Sequence, residues 1–185
     1  IHPDSPQQRL LVQAAEFIRD GGVVALPTDS CYALGCHLGD KEALDRIRLI
    51  RQMDERHHLT LMVRDLSEIA HFARVDNAQY RLLKATTPGS YTFLLAGTKE
   101  LPRRVLHPKR KTIGLRVPNH PVALALLAEL NEPLLTTTLQ LPGDEAPLTE
   151  GWEIQDRLED QIELILDAGH CGIEPTTIID LTGST

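Results

Sequence analysis

A run of four apolar residues, Val23-Val24-Ala25-Leu26, most constrains what this chain can fold into. It is too short to be a buried helix, and its ends are set by Gly21-Gly22 before it and Pro27 after it. A short continuous apolar run between such residues is typical of a strand that is buried on both faces of a sheet. Helices must then pack on that sheet, so the run points to the α/β class.

The rest of the chain alternates between helical and strand patterns. Ser5 is predicted to cap the first helix, with Pro6 at its first position and Gln8 completing a capping box. Apolar spacing and capping residues predict further helices that begin near Asp40, Asp65, Asp76, Pro121 and Glu153. Strands are predicted at residues 23–26, 59–63, 90–96, 112–117, 134–138, 162–166 and 177–181. Because some strands follow one another directly, we expect a mixed, twisted, open sheet with helices packed on it.

Length and composition indicate one ordinary globular domain, residues 1–185. The three cysteines, Cys31, Cys36 and Cys171, lack the spacing of a disulfide framework or a zinc site, so we expect reduced thiols and no bound metal. No apolar run approaches the ~20 residues that cross a membrane, and the start lacks a signal peptide, so we expect a cytoplasmic location. No initiator Met is present and the sequence stops after a strand-like run, so we expect it to be trimmed at both ends.

Charge is unevenly distributed along this acidic chain, whose net charge is −7. A cationic segment, residues 99–116, is opposed by one acidic residue only and contains Lys99, Arg103, Arg104, Lys109, Arg110, Lys111 and Arg116. An acidic protein with one cationic segment is expected to bind an anionic ligand locally rather than to coat nucleic acid. The alternative is that this segment is merely a solvated connection between two strands.

Hydroxyl side chains recur at the ends of predicted strands, where open α/β sheets bind ligands. Thr28 and Ser30 follow the first strand, residues 136–138 end another as three threonines, and Thr176 precedes the last. The alternative is that threonine, being β-branched, simply fits strands. Common catalytic motifs such as a Walker A loop, a G-x-S-x-G elbow or a zinc-protease helix are missing from the sequence, and we assign no catalytic acid or base.

Six segments occur in a characteristic order: VVALPTDSCYALGC at 23–36, RIRLIRQ at 46–52, PGSYT at 88–92, TIGLRVP at 112–118 followed by HP, TTTLQLPG at 136–143, and PTTIID at 175–180. Together they resemble the signature segments of the YciO/YrdC/YwlC family, which includes the threonylcarbamoyl-AMP synthases. The combination of Arg51-Gln52 with KRKTIG and PTTIID is most similar to the YciO branch. The resemblance extends over nearly the whole chain.

The resemblance implies a YrdC-like twisted open mixed sheet with a concave, positively lined cavity. It also implies ligands and a reaction, in which threonine, bicarbonate and ATP give threonylcarbamoyl-adenylate and pyrophosphate. Mg²⁺ would bridge the triphosphate, and the product would feed threonylcarbamoyladenosine modification of transfer RNA. Members of the family have also been described as binding double-stranded RNA, so RNA or transfer RNA is a further expected partner.

The resemblance also carries roles to individual residues. Its implied substrate-binding residues are Thr28, Ser30, Tyr32, Arg116, Thr138 and Thr176. Its implied nucleotide-binding residues are Arg51, His57, Thr112 and Gln140, and the residues expected to contact phosphate or RNA are Arg103, Arg104, Lys109, Arg110 and Lys111. For His57 the alternative is a solvated loop histidine. Catalysis would rest on positioning and charge stabilisation, without a covalent protein intermediate.

Three departures from the synthase pattern separate two functional hypotheses. The synthase K-x-R is Arg51-Gln52-Met53 here, its following proline is Asp54, and its S-x-N is Thr138-x-Gln140. Losing one charge-assisted hydrogen bond to phosphate costs on the order of 1.5–3 kcal/mol, roughly ten- to a hundred-fold in binding or rate. The chain is therefore either a slow synthase or an RNA- or nucleotide-binding protein on the same scaffold.

An RNA surface at Lys109, Arg110 and Lys111 would bind phosphates, because no aromatic residues are interleaved with these cations. We predict that a triple alanine variant loses affinity for double-stranded RNA and shows a shallower dependence of log K on log salt. Filter binding across a range of salt concentrations measures both quantities. Unchanged binding at every salt concentration would rule out this surface.

Overall fold

A computed structural model describes residues 1–54 and 57–182, and its strands form one mixed sheet. Arg56, next to the predicted nucleotide residue His57, lies outside the described residues. The described helices are α1 (Gln8–Arg19), α2 (Lys41–Arg51), α3 (Leu66–Phe72), α4 (Asn77–Thr86), α5 (Pro121–Leu130) and α6 (Gly151–Leu158). The described strands are β1 (Val24–Leu26), β2 (Ala33–His37), β3 (Thr60–Met62), β4 (Tyr91–Ala96), β5 (Thr112–Arg116), β6 (Leu134–Thr138), β7 (Leu164–Ile165) and β8 (Thr177–Asp180).

The sheet has the strand order β7-β1-β2-β6-β3-β5-β4-β8. Three pairs are parallel, namely β1 with β7, β3 with β5, and β4 with β8. The other four neighbouring pairs are antiparallel. This arrangement confirms the predicted mixed sheet, and the first strand, β1, is buried along its whole length as its apolar run predicts.

Each face of the sheet has its own apolar core. On one face, α1 and α5 pack against β1, β2 and β6 through residues that include Ile18, Leu126 and Leu134. The apolar sides of α2 and α3 pack on the opposite face, where Ile47 and Leu61 belong to the larger core. Among the described residues, none of the helices is both long and apolar enough to span a bilayer.

Two local predictions differ from the structure. The Ser5 cap is wrong: α1 begins at Gln8, and the Ser5 amide instead donates to His2 Nδ1 at 2.9 Å in a turn before the helix. Strand β2 was not predicted, because its sequence ALGCH lacks both alternation and β-branched residues. Its buried position between β1 and β6 makes it a strand through tertiary pairing.

The predicted caps of α2 and α3, Asp40 and Asp65, are confirmed, and Asp76, where a helix was predicted to begin, is the cap of α4. Asp40, Asp65 and Asp76 each accept a hydrogen bond from the backbone amide three residues further on. These bonds satisfy amides that have no partner within the helix. They fix where α2 begins and hence where its last residue, Arg51, meets the sheet.

Leu61 and Leu49 give a matched test of the larger core. Leu61 is fully buried at the centre of the sheet, whereas Leu49 on α2 is 76% exposed. We predict that Leu61→Ala lowers the free energy of unfolding by about 2–5 kcal/mol, because a cavity replaces buried methyl groups. Leu49→Ala should change it by no more than about 0.5 kcal/mol. Urea denaturation measures both, and equal effects would contradict the packing described here.

Candidate functional site

The segment Pro27-Thr28-Asp29-Ser30 leaves the sheet after β1 as a turn that is closed by one hydroxyl group. Thr28 Oγ1 donates to the Cys31 carbonyl at 2.6 Å and accepts from the amides of Ser30 and Cys31 at 3.1 and 3.2 Å. The Ser30 hydroxyl lies 3.1 Å from the same oxygen. The turn therefore presents the side chains of Asp29 and Ser30 away from the core, and both residues are partly exposed.

Arg116, the last residue of β5, reaches this turn with a guanidinium group that is almost fully buried; the residue is 7% exposed. Its Nη2 donates to Thr28 Oγ1 at 3.2 Å and to Asp29 Oδ1. The other Asp29 oxygen accepts the Asn119 amide at 3.0 Å. Arg116 Nε is buried and has no hydrogen-bond partner among the described residues. A buried donor in this state points to a ligand or a water molecule that completes the site.

Threonine side chains line the same face of the sheet as Arg116. Thr60 pairs with Thr136 and with Gly114, and directly paired residues share a face. Residues two positions along each strand share it too, which adds Thr92, Thr112, Thr138 and Arg116. Thr92 in turn bonds the Thr176 hydroxyl at 2.7 Å. The predicted substrate residues Thr28, Ser30, Arg116, Thr138 and Thr176 thus lie at or beside this face.

Residues 168–176, which we call the strap, lie against the Thr28 turn. Cys171 Sγ donates to the Thr28 carbonyl at 3.4 Å, and Cys31 Sγ donates to the Glu174 carbonyl at 3.3 Å. A Cβ atom at Gly172 would lie 2.8 Å from the Ser30 carbonyl, so the contact requires glycine. Burial raises the pKa of both thiols, which keeps them protonated as hydrogen-bond donors.

Tyr32 holds the beginning of the strap. The side chain is fully buried, and its hydroxyl donates to the Gly169 carbonyl at 2.7 Å and accepts the Ala168 amide at 3.2 Å. Burial raises the pKa of Tyr32 to about 12, so the phenol stays neutral. The family resemblance implies that Tyr32 binds substrate. In the structure its hydroxyl is hydrogen-bonded to the backbone of the strap.

A cavity of about 630 Å³ opens between the turn, the strap and the beginnings of β4 and β8. Its walls are formed by Asp29, Ser30, Ser90, Tyr91, Gly172, Ile173, Glu174, Pro175 and Thr177. Two carboxylates and several hydroxyls therefore face the cavity, and none of the described wall residues is Lys or Arg. The resemblance predicts a positively lined cavity. In the structure the nearby positive charge is that of Arg116, which lies behind the wall and is paired with the wall residue Asp29.

Two of the predicted nucleotide residues, Arg51 and Gln140, lie at the end of β6. Arg51 Nη1 donates to Thr137 Oγ1 at 2.5 Å, and its Nε donates to the Gln140 carbonyl at 3.1 Å. The Gln140 side chain donates to the Asp144 carbonyl at 2.9 Å. Burial lowers the pKa of Arg51. Met53, in the place of the second synthase cation, is buried in the larger core.

At the end of the threonine-bearing face that lies away from Arg116 is a histidine, His58, that was not among the predicted site residues. His58 Nε2 lies 2.9 Å from Thr112 Oγ1, and its ring stacks on that of His107 with centroids 5.0 Å apart. The predicted residue, His57, has a side chain that is 59% exposed and lies near Asp54. Strand alternation could have indicated His58, because it lies two residues before Thr60 and hence on the same face.

The predicted phosphate-binding cations do not form one uniform surface. Arg104 is half-buried and donates to the Gly39 carbonyl at 2.7 Å, and Arg110 pairs with Asp180 at 3.5 Å. Arg103, Lys109 and Lys111 are exposed. Lys109, Arg110 and Lys111 are all exposed and directly precede Thr112, the first residue of β5.

Comparison with known proteins identifies the family. Residues 16–185 match the model of the Sua5/YciO/YrdC family, whose description is "Telomere recombination". The chain belongs to the Sua5/YciO/YrdC family. It is 57% identical to the uncharacterized protein YciO of Escherichia coli K12 over all 185 residues, covering 90% of that protein. It is also 32% identical to a threonylcarbamoyl-AMP synthase of Chromobacterium violaceum, over 97% of this chain and 92% of that enzyme.

Solved structures of family members have the same fold. The crystal structure of E. coli YciO matches with a TM-score of 0.96 over the whole chain and 90% of its own length. A crystal structure of P. abyssi Sua5 in complex with L-threonine matches with a TM-score of 0.90 at 26% identity, over 99% of this chain and 54% of that protein. The predicted YrdC-like fold is therefore confirmed.

The partly buried His58 gives the protein a pH dependence that can be tested. Burial, followed by the neighbouring His107 and Arg110, lowers the pKa of His58 below its ordinary value of about 6.5. The unfolded chain then binds more protons than the folded one below about pH 6.5, so stability falls as the pH falls. We predict that His58→Gln loses less stability than the wild type between about pH 7.5 and pH 5.5.

Urea denaturation at several pH values measures this difference. His57→Gln is the matched control, because the adjacent His57 side chain is largely exposed. His120, whose pKa is also lowered by burial, contributes equally to all three proteins. Identical pH slopes for the wild type and His58→Gln would contradict the assignment.

Proposed function

We propose that this chain binds ATP and L-threonine and forms threonylcarbamoyl-adenylate from threonine, bicarbonate and ATP, with release of pyrophosphate and water. In this proposal it is a slow nucleotidyltransferase whose product serves threonylcarbamoyladenosine modification of transfer RNA. The threonylcarbamoyl-AMP synthase among its relatives and the threonine complex of P. abyssi Sua5 support the proposal.

The observation that carries the proposal is the buried guanidinium of Arg116 beside the hydroxyls of Thr28 and Ser30. A guanidinium recognises a carboxylate through two parallel N–H···O bonds. The N–H group at Arg116 Nε has no partner among the described residues and can donate to a ligand. Hydroxyls can donate or accept around a small zwitterion without adding charge. Threonine, with its carboxylate and its own hydroxyl, suits this set of groups.

The contacts of Arg51 and Met53 are the reason for proposing that the synthase reaction is slow. Arg51 donates at least two of its N–H groups to the end of β6, and the Met53 thioether is buried in the core. The triphosphate would therefore rely on His58, Thr112 and the exposed cations of residues 109–111, at the end of the threonine-bearing face that lies away from Arg116. Each missing charge-assisted bond would lower the rate roughly ten- to a hundred-fold.

Mg²⁺ would arrive with the nucleotide. In residues 1–54 and 57–182, no group of three or more His, Cys, Asp or Glu side chains could hold a metal ion. This fits Mg²⁺, which keeps most of its waters and is commonly held through substrate phosphates. Its chemistry would be to neutralise charge on the triphosphate as pyrophosphate leaves.

Pyrophosphate release provides the test. We predict release that requires ATP, bicarbonate and threonine together, and that Arg116→Lys lowers the rate at low threonine concentration about ten- to a hundred-fold. Lysine keeps the positive charge beside Asp29 but loses the planar fork. The matched control is Arg81→Lys on the exposed side of α4, which should leave the rate unchanged. Release that does not depend on threonine would refute the proposed reaction.

A second candidate function is binding of double-stranded RNA. The observation that favours it is the exposure of Lys109, Arg110 and Lys111 in the connection before β5. The pairing of Arg110 with Asp180 reduces the charge that is available to phosphates. RNA binding that is lost in the triple alanine variant, together with no threonine-dependent pyrophosphate release, would favour this function over the synthase.

A further inference from the structure

Asp29 occupies the place at which a ligand carboxylate would meet Arg116. The Nε and Nη2 atoms of a guanidinium form one of the planar forks that bind a carboxylate with two bonds. In Arg116 the Nη2 prong is bonded to Asp29 Oδ1, and the Nε prong has no partner among the described residues. Half of this fork is thus filled by a carboxylate of the protein itself.

Asp29 also stands between Arg116 and the cavity. Its side chain is 13% exposed and forms part of the cavity wall, together with Glu174. A ligand in the cavity therefore meets carboxylates and hydroxyls first, and reaches the guanidinium only beside Asp29. The Asn119 amide, which bonds the second Asp29 oxygen at 3.0 Å, holds the carboxylate in this position.

A ligand that carries only a carboxylate is disfavoured at such a wall. Two carboxylates that share one guanidinium in a buried site repel each other. A ligand that also carries an ammonium group can place that group between its own carboxylate and the carboxylate of Asp29, and can donate a hydrogen bond to Asp29. A zwitterion brings no net charge to a neutral Arg116–Asp29 pair, whereas a simple anion leaves a net negative charge that is partly buried.

We propose that Asp29 is a specificity-determining residue, which makes the Arg116 site accept zwitterionic α-amino acids and reject carboxylates that lack an ammonium group. This inference rests on the proposed function, because it concerns the same site. Asp29 acts through charge: it competes for Arg116 against a lone carboxylate and attracts the ammonium group of an amino acid.

Isothermal titration calorimetry of the full chain tests the inference with two ligands. L-threonine and 3-hydroxybutyrate share a carboxylate and a hydroxyl, and only threonine carries an ammonium group. We expect the wild type to bind L-threonine at least about tenfold more tightly than 3-hydroxybutyrate. Asp29→Asn removes the charge at nearly constant volume, and should bring the two affinities within about threefold by weakening threonine and strengthening 3-hydroxybutyrate.

Asp45→Asn is the matched control, because Asp45 is an exposed carboxylate of α2 that does not line the cavity. It should keep the wild-type ratio of affinities. Asp29→Ser, which also removes the charge and keeps an oxygen for the Asn119 amide, replaces Asp29→Asn if that variant does not fold. Circular dichroism establishes folding of each variant.

The outcomes separate this inference from the proposed function. If the wild type binds threonine and 3-hydroxybutyrate equally well, or if a folded neutral variant keeps the wild-type ratio, Asp29 does not set specificity and the inference is overturned. The proposed function then stands on threonine binding. If the wild type binds neither ligand, both the inference and the proposed function are overturned.

Discussion

The contact between Arg116 and the turn at residues 28–30 is the interaction on which the candidate site depends. Arg116 ends β5, whereas the turn follows β1, and three strands separate β1 from β5 in the sheet. In a flat sheet, four strand spacings of about 4.8 Å would keep the two too far apart for a hydrogen bond. Twist, which accumulates from strand to strand, brings them together over one face. The ion pair between Arg116 and Asp29 therefore depends on the twist of the whole sheet.

Burial explains why that contact is strong enough to organise its surroundings. A paired charge in the interior is costly to break, because removing one partner leaves the other uncompensated. Asp29 and the Thr28 hydroxyl both accept hydrogen bonds from Arg116 Nη2, and Cys171 in the strap donates to the Thr28 carbonyl. The cavity lies beside this ion pair. Asp29 is a wall residue and Arg116 is not, so the wall carries the negative charge of the pair and the positive charge lies behind it.

Sequence patterns predicted most elements of the fold, and their failures have physical causes. The caps at Asp40, Asp65 and Asp76 were predictable because capping is a local hydrogen bond. Strand β2 was not, because its residues lack strand propensity and are held by pairing with β1 and β6 on either side. Ser5 has a favourable capping sequence, yet its amide bonds His2 in a preceding turn and the helix begins at Gln8.

By itself, the sequence determined the mixed α/β class, the family, and the polar residues Thr28, Ser30 and Arg116, because strand patterns and motif order are properties of the chain alone. Only the tertiary structure decided that Arg116 lies behind Asp29, that the Tyr32 hydroxyl belongs to the strap, and that Met53 belongs to the core. It also decided that His58 rather than His57 contacts Thr112. These outcomes depend on which side chains meet across a twisted sheet, and local sequence carries no record of such distant contacts.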